Sequence, residues 1–242
     1  MSGEPDGRIL EVEDLQAFYG LSHVLHGISL SVAPGEAVAV LGRNGAGKTT
    51  LLKAIAGVLE PRGGRVRFES EDITGLPPYE IVKRRIAWVP EERRIFPNLT
   101  VYENLKMSRL VVDRGKHLDQ FLDRVFTLFP RLAERIEHKG RQLSGGEQQM
   151  LTIARGLGCE PRLLLIDEPT EGLMPELVRA IADTMATIQR EGVAVLLVEQ
   201  NVRVALETTR RTYLIEQGSI RWEGLSADLA RDYDTRRRYL GV

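Results

Sequence analysis

The stretch with the most chemistry in it is Gly42-Arg43-Asn44-Gly45-Ala46-Gly47-Lys48-Thr49-Thr50, which fits the phosphate-binding pattern of Gly, four residues, Gly, Lys and then Ser or Thr. Glycines at these places let the backbone approach a triphosphate and aim N–H groups at it. The helix that starts near Lys48 adds the positive end of its dipole. Lys48 is expected on the β and γ phosphates, and Thr49 is expected to offer its hydroxyl to Mg²⁺, a cation that takes hard oxygen ligands and keeps several waters. A second group ends an apolar run, Leu163-Leu164-Leu165-Ile166-Asp167-Glu168. Asp167 is expected to hold Mg²⁺ through its water shell, and Glu168 to orient and partly deprotonate an attacking water. Phosphoryl transfer needs a positioned nucleophile and charge stabilisation more than covalent chemistry. Two carboxylates at the end of a buried strand would be costly without such a task.

These side chains need a frame, and the flanking sequence supplies one. Ala37-Val38-Ala39-Val40-Leu41 reads as a buried strand and Leu51-Leu52-Lys53-Ala54-Ile55-Ala56 as helix, so the order is strand, loop, helix. Upstream, Arg8 to Leu15 and His26 to Val32 alternate apolar with polar, as half-buried strands do. Between them lie Phe18 and Tyr19, readable as core residues; Tyr19, just before Gly20, is alternatively a stacking partner for an adenine. Gly63 to Phe68 predicts a turn and an edge strand, Pro77-Pro78 opens a short helix through Val82, and Ile86 to Pro90 is a buried strand. From Thr100 to about Gly158 the pattern is helical, beginning with capping-box spacing between Thr100 and Glu103. It is a helical insertion in an alternating α/β chain. Arg162 to Ile166, Val193 to Val198 and Thr212 to Ile215 predict later strands, with a helix that Pro175 starts and Gly192 stops.

Composition narrows the function. The 242 residues carry 33 Lys plus Arg against 34 Asp plus Glu, so there is no basic excess of the kind that drives binding to nucleic acid. A lone cysteine, Cys159, excludes an internal disulfide framework and suits a reducing compartment. Met1 to Gly7 reads as a loose polar tail without the features of a secretory signal. No apolar run approaches the ~20 residues needed to span a bilayer, so membrane association is expected through a partner.

Leu143-Ser144-Gly145-Gly146-Glu147-Gln148-Gln149-Met150 is a further site of this kind. Ser144 and Glu147 stand at capping-box spacing at the start of a helix whose free N–H groups and dipole favour an anion. This stretch resembles the signature motif of ABC ATPases, and the resemblance runs from about Leu10 to Leu240. It implies an α/β fold of the P-loop NTPase, ABC ATPase type: a mostly parallel core sheet with an antiparallel β subdomain and an inserted α-helical subdomain. One ABC ATPase domain would fill residues 1–242, with 8–90 and 159–242 as core plus antiparallel β and 91–158 as the helical part. It also implies that two such domains face each other, Ser144, Gly145, Gly146 and Glu147 of one closing on the γ-phosphate held by the other, with ATP and Mg²⁺ as cofactors.

Within that superfamily the chain is similar to the ATP-binding subunits of branched-chain amino acid importers, through Val89-Pro90-Glu91-Glu92-Arg93-Arg94-Ile95-Phe96-Pro97, Val101 to Leu105, Leu197-Val198-Glu199-Gln200-Asn201 and the ending Tyr239-Leu240-Gly241. Tyr19 matches the family's adenine-stacking tyrosine. Glu91 stands where most members have a glutamine that reports on Mg²⁺ and the water; its added charge would either strengthen metal binding or slow closure. Gln200 stands where most have a histidine on the γ-phosphate. It can donate a hydrogen bond there but cannot carry a proton, which leaves Glu168 as the base. Gly172-Leu173 would lie at the dimer contact, with Met174 in place of an acidic residue.

The resemblance further implies partners: a second ATPase subunit, identical or not, integral membrane permease subunits and, indirectly, a solute-binding protein, at the cytoplasmic face of the membrane. Phe96, Pro97 and Leu99 are the apolar residues available to meet a permease helix, or else core. Asp167-Glu168-Pro169-Thr170-Glu171-Gly172 is similar to urea importers, so a urea or amide solute is an alternative. A non-transport ABC ATPase is opposed by the single cassette and short insertion, and a purely structural subunit by the intact Lys48, Ser144 and Glu168. Arg236-Arg237-Arg238 reads as a solvated helix face.

Overall fold

A computed structural model gives the fold and describes residues 7–110, 112 and 117–242. The expected tail at Met1–Gly7 therefore lies outside the described residues except for Gly7, as do 111 and 113–116 of the helical stretch.

Alternation makes Leu10–Tyr19 (β1) and Ser22–Val32 (β2) an antiparallel pair, turned at Gly20 with φ +59°. The apolar run Ala37–Leu41 (β3) is buried throughout and leads through the glycine-rich loop into Lys48–Ile55 (α1). Gly63–Phe68 (β4), Glu71–Asp72 (β5), Pro78–Lys83 (α2) and Ile86–Val89 (β6) follow. Next come the helices Val101–Arg109 (α3), Leu118–Leu128 (α4), Pro130–Glu134 (α5) and Gly145–Leu157 (α6). The chain then returns to the sheet through Leu163–Asp167 (β7), Pro175–Arg190 (α7) and Ala194–Glu199 (β8). It finishes with Val202–Thr208 (α8), Arg211–Glu216 (β9), Ser219–Leu225 (β10), Ser226–Arg231 (α9) and Tyr233–Tyr239 (α10).

Among the described residues there are two sheets, an antiparallel one ordered β2-β1-β4-β5 and a larger one ordered β10-β9-β3-β8-β7-β6, parallel except where β10 pairs with β9. Gly63–Phe68, expected at an edge, is covered by β5, whose two residues close the sheet. β5, β10, α8 and α9 were not foreseen, whereas the helix face expected at Arg236-Arg237-Arg238 lies in α10. The turn Gln217-Gly218, with both residues at positive φ, is the signal that announces β10, because a short turn of that hand suits a hairpin.

Successive residues of the parallel strands face opposite ways, and this divides the core. Val38, Val40, Leu163, Leu165 and Leu196 pack with α1 and the antiparallel sheet. Leu164, Ile166, Val195 and Leu197 pack with α3, α4, α6 and α7, so the helical stretch shares a core with one sheet face. The capping box expected at Thr100 is complete, with both reciprocal hydrogen bonds to Glu103 formed.

The two sheets are tied at two places. Gly218 accepts from the N–H of His26 in β2 at 2.8 Å and donates its own N–H to Ala46 of the glycine-rich loop at 2.9 Å. Arg211 in β9 donates to both carboxylate oxygens of Glu36 at 3.0 Å, to Glu223 at 2.9 Å and to the Ser31 carbonyl of β2 at 2.7 Å. Those hydrogen bonds, Glu36 foremost, hold the guanidinium firmly protonated. Arg211→Met keeps the stem but removes every one of these donors, and is expected to cost about 2 kcal/mol in urea unfolding, since charge-assisted bonds contribute about that much.

Candidate functional site

The register of the parallel strands decides what meets what. Leu41 lies opposite Glu199, and Asp167 opposite Val198, so the loop after β3, the carboxylates after β7 and the residues after β8 share one end of the sheet. An open cavity of about 380 Å³ lies there, lined by Val24, Asn44, Gly45, Gly47, Lys48, Thr49, Thr50, Glu91, Glu168 and Glu171.

The loop has the shape its glycines permit. Gly45 and Gly47 have φ of +78° and +108°, conformations that favour glycine. Side chains are also excluded by contact: a Cβ on Gly42 would come 2.5 Å from the Ile215 carbonyl oxygen, and one on Gly47 2.9 Å from Leu25. No side chain caps α1, whose N-cap is Gly47. Its first N–H groups therefore point into the cavity without a side-chain acceptor.

Lys48 is 4% exposed and Glu168 8%, and they form an ion pair at 3.0 Å. The same ammonium donates to the carbonyls of Gly42 at 2.7 Å and Arg43 at 3.1 Å, so the lysine is folded back across its own loop. Glu168 holds φ at +41°, a strained value for a residue with a Cβ. The Thr49 hydroxyl donates to Asp167 Oδ1 at 3.1 Å, while Oδ2 is buried without a hydrogen-bond partner. Burial pushes the Asp167 carboxyl up to about 6; the Thr49 bond opposes this, Glu168 and Glu91 add to it, and Lys48 opposes it.

Lys48 thus faces Asp167, Glu168, Glu91 and Glu171, an excess of negative charge that suits a cation. The unpaired Asp167 oxygen and the Thr49 hydroxyl are hard oxygen donors, which fit Mg²⁺. Among the described residues no group of three or more His, Cys, Asp or Glu could hold a metal unaided. A cation here would draw its other ligands from water or phosphate.

Other expected residues lie elsewhere. Ser144 is exposed, Gly145 half-buried, and Gly146 and Glu147 are buried; none of the four lines the Lys48 cavity. Their capping box is formed: Ser144 N–H donates to Glu147 Oε2 at 2.7 Å, and Glu147 N–H to Ser144 Oγ at 3.3 Å. Against burial, these bonds and Arg135 hold the Glu147 carboxyl below its ordinary value. The N–H groups of Gly145 and Gly146 are left over from the first turn. The following residues Gln148 and Gln149 line a neighbouring hollow together with Glu91, Arg93, Glu168 and Glu171. Arg43 and Ala46 line a smaller cavity on the far side of the loop, beside Gln217 and Tyr239.

Tyr19 is 45% exposed at the tip of the first hairpin, which corrects its reading as core, and it is absent from the cavity lining. Phe18 is half-buried, stacked on His23 at 4.0 Å. Gln200 is exposed after β8 and also absent from that lining; its N–H donates to Glu199. Phe96 and Pro97 are exposed and Leu99 is half-buried, so the first two are not core. Phe96 edges an apolar groove with Trp88, Met107 and Arg155.

Sequence reasoning gave no role to Arg93. Its φ of +45° turns the guanidinium over Gly145, where a Cβ would come 2.7 Å from Nη1, and Nη2 reaches the Glu171 carbonyl at 3.5 Å.

A glycine-rich loop between a buried parallel strand and a helix, with a buried Asp-Glu pair at the same end of the sheet on the strand next but one, defines a P-loop nucleotide-binding domain. The family profile described as ABC transporter matches residues 25–171. The chain is 43% identical to the high-affinity branched-chain amino acid transport ATP-binding protein BraG of Pseudomonas aeruginosa, over 96% of this chain and all of that one. It is 35% identical to the probable branched-chain amino acid transport ATP-binding protein LivF of Archaeoglobus fulgidus, over 97% and 99%. The chain therefore belongs to the ABC transporter family, as one of its ATP-binding cassettes. A dimeric structure of a bacterial ABC transporter cassette superposes with a TM-score of 0.82 at 25% identity, covering 90% of this chain and 98% of that one.

The raised Asp167 carboxyl has a measurable cost. Its strain is absent below about pH 4 and complete above about pH 6, because the folded-state group titrates above its unfolded-state value. Asp167→Asn is expected to stabilise the chelator-treated, nucleotide-free chain by up to about 3 kcal/mol at alkaline pH. In urea titrations the gain should vanish as the pH falls towards about 4.

Proposed function

We propose that this chain is the ATP-hydrolysing subunit of an importer for branched-chain amino acids, peripheral at the cytoplasmic face of the membrane and working as one of two facing ATPase subunits. The observation that carries the reading is the meeting of buried Lys48, Asp167 and Glu168 with half-buried Thr49 at one sheet end, in a chain 43% identical over 96% of its length to an amino acid transport ATP-binding protein.

In this reading Lys48 exchanges Glu168 for phosphate oxygens when ATP enters, while N–H groups of the loop and of α1 hold the rest of the triphosphate. That exchange frees the Glu168 carboxylate, which then orients the attacking water and takes up its proton. Thr49 and Asp167, with Glu91 nearby, would hold Mg²⁺, which when bound would supply neutralisation of the phosphate charge. Ser144 through Glu147 serve the nucleotide of the facing subunit: they lie outside the Lys48 cavity, yet Ser144 is exposed and Gly145 is half-buried. Tyr19 and Gln200 are assigned to adenine and γ-phosphate, Tyr19 being exposed on the hairpin whose Val24 lines the cavity. The groove edged by Phe96, between residues 91–158 as the helical subdomain and the β6 end of the core, is the surface for a permease helix.

Glu168→Gln keeps a hydrogen-bond acceptor for Lys48 but cannot take a proton. It is expected to bind ATP normally, to lose turnover by at least about a hundredfold and to accumulate a closed dimer in gel filtration with Mg²⁺ and ATP. Lys48→Ala should abolish binding of a fluorescent ATP analogue. Normal affinity in that variant, or unchanged turnover in the other, would reject the assignment.

A further inference from the structure

Glu199 is 2% exposed, carries a carboxylate, and has no part in the scheme above. Every lone pair that its two oxygens offer is taken. Oε1 accepts from the Thr170 hydroxyl at 2.6 Å and from the Thr170 N–H at 3.3 Å. Oε2 accepts from the N–H groups of Gln200 and Asn201, both at 3.0 Å. Three of the four partners are backbone N–H groups, which can only donate, so both oxygens must serve as acceptors. Burial pushes this carboxyl up, and the hydrogen bonds from Thr170 and Asn201 oppose that.

The two oxygens face different segments. Thr170 lies in the loop that follows Asp167 and Glu168 and leads to Gly172; Gln200 and Asn201 lead from β8 into α8, where Asn201 caps the helix through Val204 N–H at 3.3 Å. Between them, Glu168 N–H donates to the Val198 carbonyl at 2.9 Å, so the strained residue at φ +41° is pinned from one side by the strand and from the other by this knot.

We propose that Glu199 is a positioning residue: it ties the Thr170 loop to the Gln200-Asn201 loop and so holds Glu168 and Gln200 in one register for hydrolysis. This deepens the reading of the site as an ATPase and rests on it. The carboxylate does not line the Lys48 cavity. It acts by fixing the backbone on either side of the reacting groups, so its loss should appear in turnover and not in nucleotide affinity, which depends on the separate loop around Lys48.

The test uses the full chain with two substitutions. Glu199→Gln presents an NH₂ to donors that need an acceptor, leaving at least one buried N–H unmatched. Thr170→Val removes a single hydroxyl at nearly constant volume, and carries the test if Glu199→Gln fails to fold. Expected are at least a tenfold fall in kcat for Glu199→Gln and a smaller fall for Thr170→Val, with the dissociation constant for a fluorescent ATP analogue within twofold of the parent in both. The double variant should match Glu199→Gln alone, because the two remove one shared contact. Amide hydrogen exchange is read in parallel, without nucleotide: Thr170→Val should speed exchange at Gln200 and Asn201, across the knot, while the 42–49 loop is unchanged. Unaltered kcat in both variants, an equal loss of affinity, or exchange at Gln200 and Asn201 indifferent to Thr170 would overturn the proposal. A parent chain without any ATP turnover would instead reject the ATPase reading, and the exchange measurement would still decide whether the knot exists.

Discussion

The buried pair of Lys48 and Glu168 is the contact on which the site depends. Two opposite charges, each almost wholly removed from water, are tolerable only while each has a partner. Lys48 has three: two carbonyls of its own loop and the Glu168 carboxylate. The arrangement is stable but replaceable, because a phosphate offers the lysine the same kind of oxygen. A surface lysine would bind phosphate without this exchange and would leave no record of it at a neighbouring carboxylate. Here the resting site keeps Lys48 and Glu168 engaged with each other.

The parallel sheet makes that contact possible. Strands that run the same way deliver their carboxyl ends to one edge, and loops at that edge collect residues far apart in sequence: 42–49 after β3, 167–172 after β7, 199–201 after β8. The strands behind them are buried on both faces, so their register cannot slip without turning apolar side chains into the wrong layer. The rigidity of the sheet is thus converted into precision at the loops. The acidic crowding of Asp167, Glu168, Glu91 and Glu171 is maintained against its own repulsion by that rigidity.

What could be read from the sequence was what depends on local spacing. The glycine-rich loop, the strand ending in Asp167-Glu168 and the two capping boxes at Thr100 and Ser144 are each specified within a few residues, and each has the expected geometry. What escaped depends on contacts between distant segments or on unusual backbone. Glu199 appears in the sequence only as one letter of a strand end; its four donors come from its own loop and from one 29 positions away. Arg93 combines a positive φ with a contact to Gly145 far along the chain, and neither is announced by its neighbours in sequence. Tyr19 and Gln200 remain outside the Lys48 cavity, and their assigned partners, a base and a γ-phosphate, are not groups that an intrachain pattern describes.

The joint at Gly218 has a different kind of consequence. It joins the hairpin strand β2 to the glycine-rich loop through main-chain atoms alone, and a Cβ there would fall 1.9 Å from the Val24 carbonyl oxygen. Peptide groups are common to every residue, so the hydrogen bonds of this seam do not depend on which side chains His26 and Ala46 carry. One missing methyl group, directly behind the glycine-rich loop, is what lets the hairpin close against it.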